Sequence, residues 1–245
     1  MNTSINDFTE ANYIKLIKIA KNNYIFIDFT QYKLEGKNII WRHDIDFSVH
    51  RAFTLAQIEA EQGVFSTFFV NPHSEFYNIF EKEITLLVRN IIKLGHKIGL
   101  HFDSNYYVDS INVNMEENIL FEKHILERTF DIRIDSFSFH NPDVGDWLSI
   151  DDEIICGMIN TYSKYLKKNY DYCSDSNGYW RYRRLEDVLA EARCDKLHVL
   201  THPGWWTPEP ISPRERITRC IEGRAQKSHL LYDQLLDKYG RKNIK

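Results

Sequence analysis

The sequence predicts a single α/β domain built on a mostly parallel sheet. Two observations carry this: short apolar runs alternate with amphipathic helical segments along the chain, and each run starts apolar and ends polar. A third is length, since 245 residues fit one domain, with residues 213–245 expected to form a C-terminal helical segment packed on it.

In chain order, Tyr13, Leu16, Ile17 and Ala20 recur at helical spacing, so a first helix precedes the first strand run, IIWRHDID. Ser48 is an N-cap for a helix through Gln62 that stops at Gly63. VFSTFFVN follows as a strand, and then a helix on Ile84, Leu87, Val88 and Ile91 that stops at Gly95. KIGLHFD, DSFSFHN, YDYCSDSN and LHVLTHP are the later strand runs, with a helix on Leu185, Val188, Leu189 and Ala192 before the last. Ser212 before Pro213 starts the C-terminal helical stretch, as one helix or two.

Composition narrows the function. Lys+Arg total 31 against Asp+Glu 35, a net charge of −4, which argues against a nucleic-acid binder that works by bulk positive charge. No run of about 18 apolar residues offers a transmembrane segment. The N-terminal stretch lacks the apolar core of a signal peptide, and the four cysteines have no CxxC spacing, so a reducing cytoplasm is the expected compartment.

In parallel α/β folds, whether barrel or open sheet, ligands lie at the carboxyl ends of the strands. The residues placed there are Asp44, Asp46, His73, His101, Asp103, His140, Asp175 and His202. The period of two puts Asp44 and Asp46 on one face, with Cα atoms roughly 7 Å apart in a regular strand. Two such acids can share a metal and a water; alternatively, one of them pairs with Arg42 or caps the helix after Ser48. His101 is a metal ligand or a hydrogen-bonded interior histidine, but packing alone would favour Val, Ile and Leu at these strand ends, so the joint pattern favours a metal or acid/base site. His198 shares a face with His202 but belongs about 13 Å away along the strand, and it is excluded from the site. His50, His96, His124 and His229 read as structural or surface residues. Trp180, Trp205, Trp206, Tyr106 and Tyr107 follow strand runs and are either sugar platforms or core.

From about Ile39 to Trp206 these motifs resemble the polysaccharide deacetylases of carbohydrate esterase family 4. RHDID resembles that family's first motif, GVFSTFFV the strand after it, GHKIGLH the approach to its second motif, and LTHPGWW its last. The resemblance implies a distorted (β/α) barrel and a metal-dependent hydrolase that removes an N-acetyl group from a sugar or glycan precursor, using one divalent metal ion, with zinc expected. Carried over, Asp44 is the general base, Asp46 and His101 are metal ligands, and His202 is the general acid.

The departures are specific. Ile45 separates two acids that are adjacent in the family, so the roles of Asp44 and Asp46 can be exchanged. Asn105 stands where the family has a second histidine, and His140-Asn141-Pro142 where it has an arginine. His140 is therefore expected as the third metal ligand, ahead of His73 and the weakly ligating Asn105. The expected substrate-binding set is His73, Asn105, Tyr107, Asn141, Asp175, Trp180 and Trp205. A hydrolase of non-sugar amides, or a non-catalytic carbohydrate-binding protein on the same barrel, are the alternatives.

Overall fold

Helices begin and end where capping chemistry allows. A computed structural model of the chain describes residues 5–107, 114–142 and 147–244. Thr9 Oγ1 accepts the Asn12 N–H at 3.2 Å to start α1 (Glu10–Asn23), whose buried face is Tyr13, Leu16, Ile17 and Ala20. The first strands are β1 (Ile25–Ile27) and β2 (Asn38–Ile45). Ser48 caps α2 (Val49–Glu61), which ends before Gly63 at φ +67°. Next come β3 (Thr67–Val70), α3 (Lys82–Lys93), which ends before Gly95 at φ +95°, and β4 (Lys97–Phe102). The middle of the chain supplies α4 (Met115–Phe130), β5 (Ser136–Phe139), the hairpin β6 (Ile154–Ile155) and β7 (Met158–Asn160), and α5 (Lys164–Asn169).

A second hairpin, β8 (Asp171–Ser176) and β9 (Tyr179–Trp180), leads to α6 (Leu185–Glu191), β10 (Lys196–Thr201) and α7 (Pro213–Lys238). The periodic pattern extends the helix of α6 to Ala192, but that residue is left-handed at φ 44° and terminates it.

The sheet runs β6-β7-β5-β4-β3-β2-β10-β8-β9 and is parallel except within the two hairpins. β1 pairs with residues 38–40 of β2, and β3 pairs with β2 from Arg42 onward. Among the described residues no ladder joins β7 to β8, so the sheet carries a seam there. It curls nonetheless: Arg42 of β2 donates to Thr161 Oγ1 (2.8 Å) and Tyr162 Oη (2.9 Å), just beyond β7. Tyr170, before β8, donates to Tyr32 O (2.9 Å) and Asn38 Oδ1 (3.0 Å).

Alternation along β2 sorts its side chains between two environments. Ile40 packs inside the curl with Phe29, Phe69, Leu166 and Tyr170. Gly99 is required there, because a Cβ would run into the Phe69 ring. Outward, Ile39 and Trp41 join the core under α1 and α6, while α2, α3 and α4 cover a second core around Phe68, Leu100 and Phe137.

His43 also points outward, into a buried polar network. Its Nε2 lies 2.7 Å from Glu59 Oε1, and its Nδ1 2.8 Å from Thr201 Oγ1. Tyr13 and Ser66 donate to the same Glu59 carboxylate, and His96 accepts the Ser66 N–H and reaches Ala56 O. His96 and the exposed His50, 2.8 Å from Glu83, thus have structural partners.

α7 begins with a capping box between Ser212 and Glu215, and its first turns bury Arg216. Arg224 and Lys227 pair with Glu81 and Glu83. The packing expected for the whole C-terminal segment stops there: Leu230, Leu231, Tyr232 and Leu235 are exposed, with none of the described residues burying them. No helix among the described residues is long and apolar enough to cross a membrane.

Candidate metal centre and acid–base pair

The carboxyl ends of β2, β4, β5, β8 and β10 converge at the mouth of the curl. Asp46 follows β2, His101 lies on β4, and His140 directly follows β5, where its N–H still pairs with Phe102 O at 2.8 Å. Asn141, left-handed at φ 47°, turns the chain after it. One ligand-capable atom from each of Asp46, His101 and His140 lies within 4.8 Å of the others.

The closest of these distances are 3.2 Å from Asp46 Oδ1 to His101 Nε2, 3.6 Å from Asp46 Oδ1 to His140 Nδ1, and 3.1 Å between the two ring nitrogens. Asp46 Oδ1 is nevertheless a buried oxygen without a hydrogen-bond partner. Ser138 Oγ, 2.7 Å from His101 Nδ1, and Asn141 Nδ2, 2.9 Å from His140 Nε2, orient the two rings from behind. An orphaned carboxylate oxygen facing two imidazole nitrogens fits a divalent metal ion. The donor set of one carboxylate and two histidines is one that zinc and other first-row metals accept.

Two further ionisable groups flank this cluster. Arg42 holds Asp44 through both carboxylate oxygens, at 2.8 and 2.7 Å. Burial would push the Asp44 carboxyl up, but Arg42 and then His101 outweigh it and hold it below the usual range. His202 Nδ1 is bonded to Asp175 Oδ1, and its backbone N–H donates to both Asp175 oxygens, at 3.0 and 3.2 Å. Burial alone would lower the His202 pKa; the Asp175 and Asp46 carboxylates overcome it and push it up to about 9. The free His202 Nε2 points toward the cluster, 3.8 Å from Asp46 Oδ2. Burial is likewise outweighed at Asp46, whose carboxyl is driven well down by His202, His101 and His140.

A cavity of about 440 Å³ opens beside these groups. Asp44, Asp46, His101, His140, Asn141, Asp175 and His202 line it. The other residues expected to bind substrate lie elsewhere. His73 stacks on Tyr106 and, with Tyr107, meets the buried Glu122, at 3.3 Å from His73 and 2.7 Å from Tyr107. Asn105 is exposed in the turn after β4, its N–H on Asp103 Oδ1. Trp180 donates to Asp7 Oδ2 at 3.1 Å and stacks on Phe8, and Trp205 is buried against Phe47. An N-terminal turn, Ile5–Phe8, claims the Trp180 ring that a strand-end position offers to a ligand.

The aromatic lining comes instead from Phe139, Tyr162, Tyr170, Tyr172, Tyr179 and Tyr182, and His198 lines the cavity as well. The signal for His198 was its alternation with Leu200 and His202, which puts all three inward. Arg42 likewise alternates with Asp44, and it pairs with that acid.

No family model matches the sequence, and no curated protein matches it. Among solved structures, it is similar to the Xyl-CE4 domain of a multidomain xylanase from the hindgut metagenome of Trinervitermes trinervoides, at 12% identity over 84% of this chain and 92% of that one, with a TM-score of 0.46. A family 4 carbohydrate esterase from Bacillus anthracis matches at 14% identity over 88% and 86% of the two chains, with a TM-score of 0.44. A CE4 family pseudoenzyme from Bacillus anthracis matches at 12% identity over 77% and 62%, with a TM-score of 0.42.

Proposed function

We propose that the protein is a metal-dependent hydrolase that removes the N-acetyl group of an amino sugar or glycan precursor. The observation that carries this reading is the placement of an ionised carboxylate and a proton-bearing imidazole, each fixed by its own partner, beside three convergent ligand atoms. The likeness of RHDID and LTHPGWW to the deacetylase motifs supports the same roles. Asp46, His101 and His140 would hold the ion. A divalent ion bound there supplies Lewis acidity, lowering the pKa of a water and polarising the acetyl carbonyl.

The chain's own groups do the rest. Asp44, kept ionised by Arg42, accepts the proton of the attacking water. His202, kept protonated by Asp175, donates from Nε2 to the departing amine nitrogen, which leaves poorly as an anion. The tyrosines beside the cavity offer faces and hydroxyls to a sugar ring.

The test is metal analysis of the purified protein combined with acetate release from N-acetylglucosamine. Stoichiometric metal with acetate release that disappears in His202→Ala supports the reading. Metal-loaded protein whose acetate release is no greater than that of His202→Ala overturns it.

A further inference from the structure

β2 stops at Ile45, whose register partner is Val70 at the end of β3, and β10 pairs with β2 no further than His43. Asp46 therefore stands one residue past the sheet ladder, and side chains hold the backbone there instead. The buried Tyr77 hydroxyl is inserted between the two strand ends, accepting the Asn71 N–H at 2.9 Å and donating to Ile45 O at 2.8 Å. Ser74 Oγ donates to Asp46 O at 2.9 Å and accepts the Phe76 N–H at 3.2 Å. Phe47 O, the next carbonyl, accepts from Cys220 Sγ at 3.0 Å. Each of the carbonyls from Ile45 to Phe47 is thus bound by a side chain from outside β2.

These anchors matter because Asp46 Oδ1 has no hydrogen-bond partner of its own. A carboxylate oxygen that nothing grips takes its place from its backbone. Held there, it lies 3.2 Å from His101 Nε2 and 3.6 Å from His140 Nδ1. A ligand fixed before the ion arrives loses less freedom on binding, so the anchoring becomes metal affinity. We propose that Ser74 and Tyr77 are positioning residues that set Asp46 against the two imidazoles, an inference that rests on the metal-dependent reading of this site. Without the Ser74 hydroxyl, Asp46 O loses its donor. Without the Tyr77 hydroxyl, the ends of β2 and β3 are free to approach each other, and Asp46 moves with Ile45.

Calorimetric titration of zinc into the metal-stripped full chain tests this, with His101→Ala marking whatever binds outside the cluster. Ser74→Ala and Tyr77→Phe should each weaken zinc binding by about tenfold to a hundredfold. Ser74→Thr keeps the hydroxyl and should recover most of the loss. Ser74 is only half-buried, so Ser74→Ala keeps the test decisive even where Tyr77→Phe fails to fold. A merely structural role would lower Tm and leave zinc affinity at the wild-type value, and that result in Ser74→Ala overturns the inference. Ser74→Thr that binds zinc as weakly as Ser74→Ala overturns it too. Wild-type protein that binds zinc no better than His101→Ala would instead remove the metal reading itself, and the positioning role with it.

Discussion

Arg42 and Asp44 form a two-point ion pair across two residues of one strand, with guanidinium nitrogens 2.8 and 2.7 Å from the two carboxylate oxygens. Both side chains are buried, so neither charge is solvated by bulk water. Arg42→Met leaves the Asp44 charge unpaired, and stability should fall by about 3–5 kcal/mol in urea unfolding. Unaltered stability would show that the pair contributes nothing.

Asp44→Asn keeps shape and removes the basic carboxylate. Metal content should stay at the wild-type value while kcat falls by roughly 10²-fold to 10⁴-fold. Loss of metal would transfer the ligand role from Asp46 to Asp44.

His101→Ala and Asp46→Ala should each lower metal content sharply and leave the far-ultraviolet circular dichroism unchanged, since Leu100 and Phe102 keep β4 in its core. Full occupancy in both variants would reject the cluster as the binding site.

His202 gives a pH signature. Its pKa of about 9 in the folded chain exceeds the unfolded value of about 6.5, so its contribution to stability is fully present below pH 6.5 and is lost as pH rises through 9. Asp175→Asn removes the first carboxylate that raises it. The imidazole resonance of His202 in the metal-free protein should then titrate at lower pH, and an unmoved midpoint would exclude Asp175 as its partner.

Gly204, two residues after His202, faces the Phe47 ring so closely that a Cβ would collide with it. Gly204→Ala should cost about 1–3 kcal/mol and lower Tm correspondingly. An unchanged Tm would mean that the turn gives way freely.

What the sequence reveals of this site follows from strand alternation. Asp44, Asp46, His101, His140 and His202 can be placed on one rim because each ends an apolar run and the strands are parallel. Trp180 and Trp205 have the same sequence context and yet point into aromatic packing. What decides their position is a contact such as Trp180 with Asp7, 173 residues away, which no local pattern encodes. His198 is excluded from the site on its distance along the strand, whereas in the structure it lines the same cavity as His202. What local spacing does not carry is the depth of the cavity, which depends on the curl of the sheet and on the unladdered seam between β7 and β8.

The polar network behind β2 has a consequence for folding fidelity. Arg42 and Asp44 face inward, while His43, between them, is bonded to Glu59 and Thr201 on the other face. A slip of one residue in pairing would turn Arg42 and Asp44 into the helix layer and His43 into the cavity, breaking the hydrogen bonds of Arg42 to Thr161 and Tyr162 on one side and the contacts of His43 with Glu59 and Thr201 on the other. Apolar strands tolerate misalignment because one aliphatic side chain substitutes for another; here each neighbour has a unique counterpart. The strand that carries Asp44 is therefore proofread from both faces before any ligand arrives.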